Sequence, residues 1–270
     1  MDKLACIYFT KMSESILLAV HENLAIIKLN RPKVYNSFNR EMAFAMQAAL
    51  DQCAIDNEVR AILITGEGKA FSAGQDLAEV TDPNGPTMQN ILEEHYNPII
   101  RRIRSIEKPI MAAVNGVAAG AGANIALACD VVIAASSASF IQAFSKIGLI
   151  PDSAGTFFLP RLIGFQKASA LMMLGEKVSA SDAEKMGMIY KVIADETMLE
   201  ESIKIATTLS QMPTRGLALT KNALNQSLSH TLEEQLCTEE KLQIEAGSSH
   251  DYKEGIHAFM EKRTPVFKGN

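Results

Sequence analysis

The sequence predicts an α/β fold followed by a helical C-terminal subdomain, on three observations. Short apolar runs at 61–65, 110–114 and 131–135 recur between segments of helical periodicity. Two of those runs lead into glycine-bearing loops, Phe71-Ser-Ala-Gly-Gln-Asp-Leu77 and the stretch 115–122. From Thr197 onward the alternation stops and only helical patterns remain. The chain therefore divides into a core of residues 1–200 and a helical region of residues 201–270.

In chain order, residues 15–20 and 24–29 flank His21-Glu-Asn23 and read as a β-hairpin turning near Asn23. Pro32 and the asparagines around it make 30–39 irregular. Asn39 is placed to cap a helix reaching about Ile55, with Met42, Ala45, Met46, Ala49 and Leu50 on one face. Strand 61–65 follows, then the first loop. Thr81-Asp-Pro-Asn-Gly-Pro86 is the densest run of helix and strand breakers and reads as a surface loop. A helix over 87–106 must kink or break at Pro98, which lacks an N–H and crowds the preceding turn. Pro109 opens strand 110–114. The glycine-rich stretch then turns into a helix between Gly120 and Gly122, where Ala and Leu take over. After strand 131–135, helices are expected through Phe157 and Arg161 and over 166–174. Ser181 is expected to cap a helix over 182–186, and 189–193 to form a last strand. Pro213, Ser229 to Thr231, and Gly247 punctuate the C-terminal helices.

Composition excludes several classes. A chain of 270 residues, 47% apolar and 21% charged, builds a core without disulfides or metal. Cys6, Cys53, Cys129 and Cys237 form no C-x-x-C pair and read as reduced thiols of a cytoplasmic protein. A net charge of −5 argues against nucleic acid as partner. The first twelve residues lack the apolar core and small-residue cleavage site of a signal peptide. Residues 110–129 carry no charge over the length of a membrane span. Their three glycines, two asparagines and many alanines favour a buried core segment instead, so no membrane association is expected. Gly120-x-Gly122 lacks the third glycine of a dinucleotide fingerprint, since Ile125 stands there. No P-loop, H-E-x-x-H or G-x-S-x-G occurs.

Two features could carry chemistry. The first N–H groups of a helix have no internal partner. Beside Gly116, Gly120 and Gly122 a ligand could approach such donors closely. The loops at 71–77 and 115–122 could each aim one backbone N–H at a single oxygen, forming an oxyanion hole. Tight packing of strand against helix explains the same glycines, and spacing alone leaves both readings open. Asp152, the acidic residue in an otherwise uncharged run from 147 to 159, has two readings as well. It could cap the following helix, or it could sit in an apolar pocket with a raised pKa suited to moving protons.

Taken together, Leu29-Asn-Arg-Pro32, Asn36-Ser-Phe38, Phe71-x-Ala-Gly-x-Asp-Leu77, Lys108-Pro-x-x-Ala-x-Val-Asn-Gly116, Gly120-Ala-Gly122, Cys129-Asp130, Gly148-Leu-Ile-Pro151 and Gly155-Thr156 point to one family. Over nearly its whole length the chain resembles the enoyl-CoA hydratase/isomerase (crotonase) superfamily. The resemblance implies a crotonase-like spiral of ββα units whose helical C-terminal region mediates trimers, often paired into hexamers. It implies an acyl-CoA substrate, with coenzyme A as part of that substrate and no separate cofactor or metal. Matched by position, the oxyanion N–H groups belong to Gln75 and Ala121. Ala73 and Leu77 line the adenine end, the backbone near Lys33 and Val34 touches the CoA moiety, and Asp76 and Gly120 count among the CoA-binding positions. Phe259 and Lys262 match a pair that reaches toward CoA, often from a neighbouring subunit; otherwise they are a solvated helix end favouring cations.

The two glutamates with which hydratases activate water correspond here to Asn124 and Phe144, so efficient hydration is not expected. Asp152 matches the acid/base aspartate of several isomerases. Tyr96-Asn-Pro98 with Arg101-Arg102, the segment 143–152, and Asp251-Tyr-Lys-Glu-Gly255 further resemble the isomerase branch of aerobic phenylacetate breakdown, which turns a ring epoxide into an oxepin. Such relatives also move double bonds in acyl-CoAs, so the acyl group stays open. The alternatives are a double-bond isomerase, a hydratase, or a non-catalytic acyl-CoA-binding scaffold.

Overall fold

The computed structural model describes residues 8–270. Cys6, one of the thiols expected to be reduced, lies outside them; Cys53, Cys129 and Cys237 are free. Burial pushes the Cys53 and Cys129 thiols up to about 12, so neither forms a reactive thiolate near neutral pH.

A short strand β1 (Thr10–Lys11) precedes the expected hairpin, β2 (Ile16–His21) and β3 (Leu24–Leu29), which pairs His21 with Leu24 and turns with Glu22 in the left-handed region. A single 3-10 turn, Pro32–Val34, leads to α1 (Arg40–Ile55), where the Asn39 side chain accepts the Met42 N–H as its sequence position predicts. Three repeats then follow, each a strand, a second short strand and a helix. They are β4 (Ala61–Gly66), β5 (Ala70–Ser72) and α2 (Leu77–Thr81); β6 (Ile110–Val114), β7 (Val117–Ala119) and α5 (Ala121–Leu127); and β8 (Val131–Ala135), β9 (Ser139–Ile141) and α6 (Gly155–Ile163). Between the first two repeats run α3 (Met88–Asn90), a π-helical segment (Ile91–Tyr96) and α4 (Asn97–Ser105). The chain continues through α7 (Phe165–Leu174), β10 (Lys177–Ser179), α8 (Ala180–Lys185) and β11 (Lys191–Ile193) to α9 (Met198–Gln211), α10 (Thr214–Ser227), α11 (Leu232–Gly247) and α12 (His250–Glu261).

The first strand of each repeat enters a seven-stranded sheet of order β1-β2-β3-β4-β6-β8-β11. Its members from β3 onward run parallel. The second strand enters a four-stranded sheet of order β10-β9-β7-β5. This alternation is the crotonase-like ββα spiral, closed by the C-terminal helices. Parallel strands covered on both faces read as continuous apolar runs, and every residue of β6 is buried. Helix α9 lies against β3, β4, β6 and β8. The uncharged stretch 110–129 is mostly buried and runs through β6, β7 and α5, and no helix of the described residues is long and apolar enough to cross a membrane.

Two local expectations need correction. The loop expected from Phe71 and the turn expected over 115–122 contain strands β5 and β7 of the smaller sheet, not legible in the sequence because strands of three residues are too short to show alternation. Ser179, not Ser181, caps the helix after β10: it keeps the extended backbone of the strand end and its hydroxyl accepts the Asp182 N–H. At Pro98 the helical run changes type: the π-helical segment ends at Tyr96 and α4 begins at Asn97, with Pro98 in its first turn. Pro98 cannot donate to the Glu94 carbonyl, which instead accepts Gln47 Nε2 at 2.7 Å from α1.

Asp130 anchors the C-terminal helices to this frame. Its carboxylate receives Arg104 at 2.9 Å, Lys221 of α10 at 2.9 Å and the Ile110 N–H at 2.9 Å. Burial lowers the Lys221 pKa and Asp130 opposes that shift. Asp130→Ala leaves two partly or fully buried cations facing each other. It is expected to cost about 3–5 kcal/mol, measured as a fall in urea midpoint at unchanged slope.

Candidate active site

The end of β5 and the start of α5 converge on one point. After Ser72 the chain is laced to the segment behind Pro32: the Ala73 N–H donates to Tyr35 O, the Phe38 N–H to Gly74 O, and the Asp76 N–H to Phe38 O, at 2.7–2.9 Å. The Gln75 N–H between them has no partner among the described residues. On the other side, β7 ends at Gly120, whose N–H donates to Ile141 O at 2.9 Å. Ala121 then begins α5, and its N–H is also unpaired, as expected for a first helical residue. The two loops touch: a Cβ built on Gly74, at φ +89°, would lie 2.8 Å from Ala119 O and 3.3 Å from Ala121 N. Helix and strand are just as close, since a Cβ on Gly122 would meet the Ser72 carbonyl oxygen at 2.5 Å. Tight packing and a pair of free amides thus coexist, and the packing brings the amides together.

A cavity of about 260 Å³ opens at this point. Ala73, Gln75, Leu77, Gly120, Ala121 and Asp152 all line it. Its other walls are mostly apolar, from Val80, Met88, Ile91, Phe144 and Leu149, with Tyr96 adding a hydroxyl.

Asp152 does not cap the helix that follows. The residue before α6 is Ala154, in the left-handed region and without a side-chain cap; only the Asp152 backbone carbonyl meets the Gly155 N–H, at 2.8 Å. The carboxylate is left facing the cavity with one hydrogen bond, from Ser153 Oγ at 2.8 Å. Burial pushes the Asp152 pKa above the ordinary carboxylate range, and the Ser153 bond offsets part of that.

Tyr96 is a site residue that sequence reasoning did not single out as one. Its buried hydroxyl donates to Gln75 Oε1 at 2.9 Å, while Gln75 Nε2 donates to Glu79 at 2.9 Å. The Gln75 carboxamide is thereby held through both its oxygen and its nitrogen. Burial, with the nearby carboxylates Asp152, Glu79 and Asp76, holds the Tyr96 phenol well above its usual pKa, so it remains a donor. In the sequence it stands only within the Tyr96-Asn-Pro98 segment of the family resemblance, with no role of its own.

The remaining expected positions lie elsewhere. Lys33 and Val34 sit on the exposed 3-10 turn next to Tyr35, at the rim of the first loop. The Asp76 carboxylate is engaged internally, capping α2 through the Ala78 N–H at 3.0 Å and pairing with Arg31 at 2.8 Å. Phe259 and Lys262 end α12 outside the cavity lining, and Phe259 is 86% exposed. Among the described residues no group of three His, Cys, Asp or Glu could hold a metal ion.

The enoyl-CoA hydratase/isomerase family model matches residues 19–270. The chain is similar to the 1,2-epoxyphenylacetyl-CoA isomerase of Escherichia coli (strain K12), 46% identical over 261 residues that cover 96% of this chain and 100% of that protein. It is 35% identical over 259 residues to the trans-2-decenoyl-(acyl-carrier-protein) isomerase of Streptococcus mutans, covering 95% and 98%. Among solved structures, an enoyl-CoA hydratase from Bacillus anthracis superposes with a TM-score of 0.89 at 31% identity, covering 95% of this chain and 100% of that one. Isomerases and hydratases both stand among these relatives.

Proposed function

This chain belongs to the enoyl-CoA hydratase/isomerase family, and we propose that within it the protein is an acyl-CoA isomerase with Asp152 as acid/base. One observation carries the reading: Asp152, the sole carboxylate among the described residues lining the cavity, shares it with Gln75 and Ala121, whose N–H groups have no partner among those residues.

The thioester carbonyl oxygen accepts both N–H groups. Asp152 takes a proton α to that carbonyl, and the negative charge passes to the oxygen, where two fixed donors in a site of low polarity stabilise it. The resulting carboxylic acid returns the proton at another carbon, which moves a double bond with no net change in atoms. On a ring-epoxidised phenylacetyl thioester, the bond shared by the epoxide and the six-membered ring opens as the ring electrons shift, giving the isomeric oxepin. The 46% identity to an isomerase of that substrate supports this acyl group. Asn124 and Phe144, where a hydratase would place its glutamates, speak against hydration: an amide does not cycle protons and a phenyl ring does not hold water.

In the same reading, Ala73, Leu77, Gly120 and the backbone at Lys33 and Val34 receive coenzyme A, and Asp76 acts through its cap and its Arg31 pair. Phe259 and Lys262 meet the CoA of a neighbouring copy in a cytoplasmic homotrimer or homohexamer assembled through residues 201–270.

Turnover of ring-epoxide, 3-enoyl and 2-enoyl thioesters in deuterated water tests this. The expected result is isomerised 2-enoyl product carrying solvent deuterium at the γ carbon, with deuterium exchanged into the α carbon of recovered 3-enoyl substrate. Fast hydration of crotonyl-CoA would make the protein a hydratase, and binding without α-exchange a scaffold. Because Asp152 must be ionised to take the first proton, kcat/KM is expected to fall as pH drops through its raised pKa. The acid limb of the profile then lies above the ordinary carboxylate range of about 4.

A further inference from the structure

Asn124 is 1% exposed on α5 and faces the loop that carries Asp152. Its Nδ2 donates to the Asp152 backbone carbonyl at 2.9 Å, and its Oδ1 accepts Gln142 Nε2 at 2.7 Å. Gln142, 4% exposed, follows β9. Its own Oε1 is buried with no partner among the described residues. An unpaired buried acceptor costs about 1–3 kcal/mol, so stability alone gives no reason for an amide there. The contact is close enough to dictate a neighbour: a Cβ on Gly155 would lie 2.3 Å from Asn124 Nδ2.

The loop gripped in this way is strained. Ser153 (φ +50°) and Ala154 (φ +59°) are consecutive non-glycine residues in the left-handed region, directly after Asp152. Such backbone persists where its surroundings over-determine it. Here the Asp152 carbonyl is held twice, by Asn124 Nδ2 and by the Gly155 N–H. A carbonyl fixed at that atom limits rotation of the peptide next to the Asp152 Cα, and so sets where the carboxylate enters the cavity.

We infer that Asn124 and Gln142 are positioning residues: a buried amide relay from β9 through α5 that holds the strained Asp152 loop and aims its carboxylate at the amides of Gln75 and Ala121. The inference rests on Asp152 being the acid/base of the proposed isomerisation. It also assigns Asn124 a use as a neutral donor, which a carboxylate at 124 would not supply.

Asn124→Leu removes the donor at similar volume. Gly155→Ala displaces the amide while leaving every polar group in the chain. Each is expected to lower kcat by about 10- to 100-fold, as ångström-scale misplacement of a reacting group does, with KM within about threefold. Adding Asn124→Leu to Asp152→Asn is expected to cost less than about twofold more, because the relay acts only through Asp152. Turnover within about twofold of the parent in a folded variant, while Asp152→Asn is impaired, overturns the relay and leaves the isomerase reading standing. Losses that multiply in the double variant also overturn it. Full turnover by Asp152→Asn alone overturns the isomerase reading itself. If Asn124→Leu does not fold, Gly155→Ala and the Gly155→Ala/Asp152→Asn pair carry the same comparison.

Discussion

Asp152→Asn is expected to lower isomerase turnover by about 10²- to 10⁴-fold, the range over which a positioned acid/base contributes, and at neutral pH to raise the melting temperature. The first effect follows because an amide takes up no proton at the α carbon, while the Gln75 and Ala121 donors remain to bind substrate. KM should therefore change little. The second effect follows from burial. The folded-state pKa of Asp152 lies above its unfolded value. Relative to the ionised form, its contribution to stability is fully present below the unfolded pKa of about 3.9 and is lost as pH rises through the folded pKa. At pH 7 the desolvated carboxylate is thus a net cost that asparagine removes. Thermal melts of both proteins between pH 4 and 8 (roughly the span bracketing these pKa values) should show the variant's advantage shrinking toward the acid end. A variant that melts lower than the parent at pH 7 would mean that the carboxylate is better accommodated than its surroundings suggest.

Gly74→Ala should be nearly as damaging to activity for a different reason. At φ +89° any side chain is strained, and the new methyl would sit 2.8 Å from Ala119 O. The carbonyl belongs to the rigid end of β7, so the first loop must yield and the Gln75 and Ala121 amides move apart. Losing one oxyanion donor costs about 10²- to 10³-fold in kcat, and that is the loss expected here. The fold should survive with about 1–3 kcal/mol less stability, because the Ala73 and Asp76 N–H bonds still lace the loop to Tyr35 and Phe38. Gly164→Ala is the control: φ is +80° there with nothing within 4 Å, so it carries the strain without the collision. Equal activity losses in the two variants, after correction for folded fraction, would remove the case for loop convergence.

The two loops and Asp152 were visible in the sequence because each sits at a break in a strong local pattern. Gln75 follows an apolar run, Ala121 opens an alanine-rich helix, and Asp152 interrupts an uncharged stretch. Their roles came from matching family motifs, since spacing left an oxyanion hole and plain packing equally open. The cap reading of Asp152 failed because two left-handed residues separate it from α6, and the conformation of Ser153 and Ala154 has no signature in their identities. Tyr96 was visible only as part of the Tyr96-Asn-Pro98 segment, and its bond to Gln75 is what gives it a role.

By itself the sequence determined the hairpin and the apolar strands of the large sheet, the Asn39 cap, the run of C-terminal helices and the residue types available for proton transfer. All of these arise from periodicity or chemistry expressed within a few neighbouring residues. The tertiary structure decided the rest: the small sheet of three-residue strands, the convergence of the Gln75 and Ala121 amides, and the grip of Asn124 on a carbonyl 28 residues away. Strands that short are stable only when paired, and a hydrogen bond between distant residues depends on how intervening elements pack, which no local pattern records.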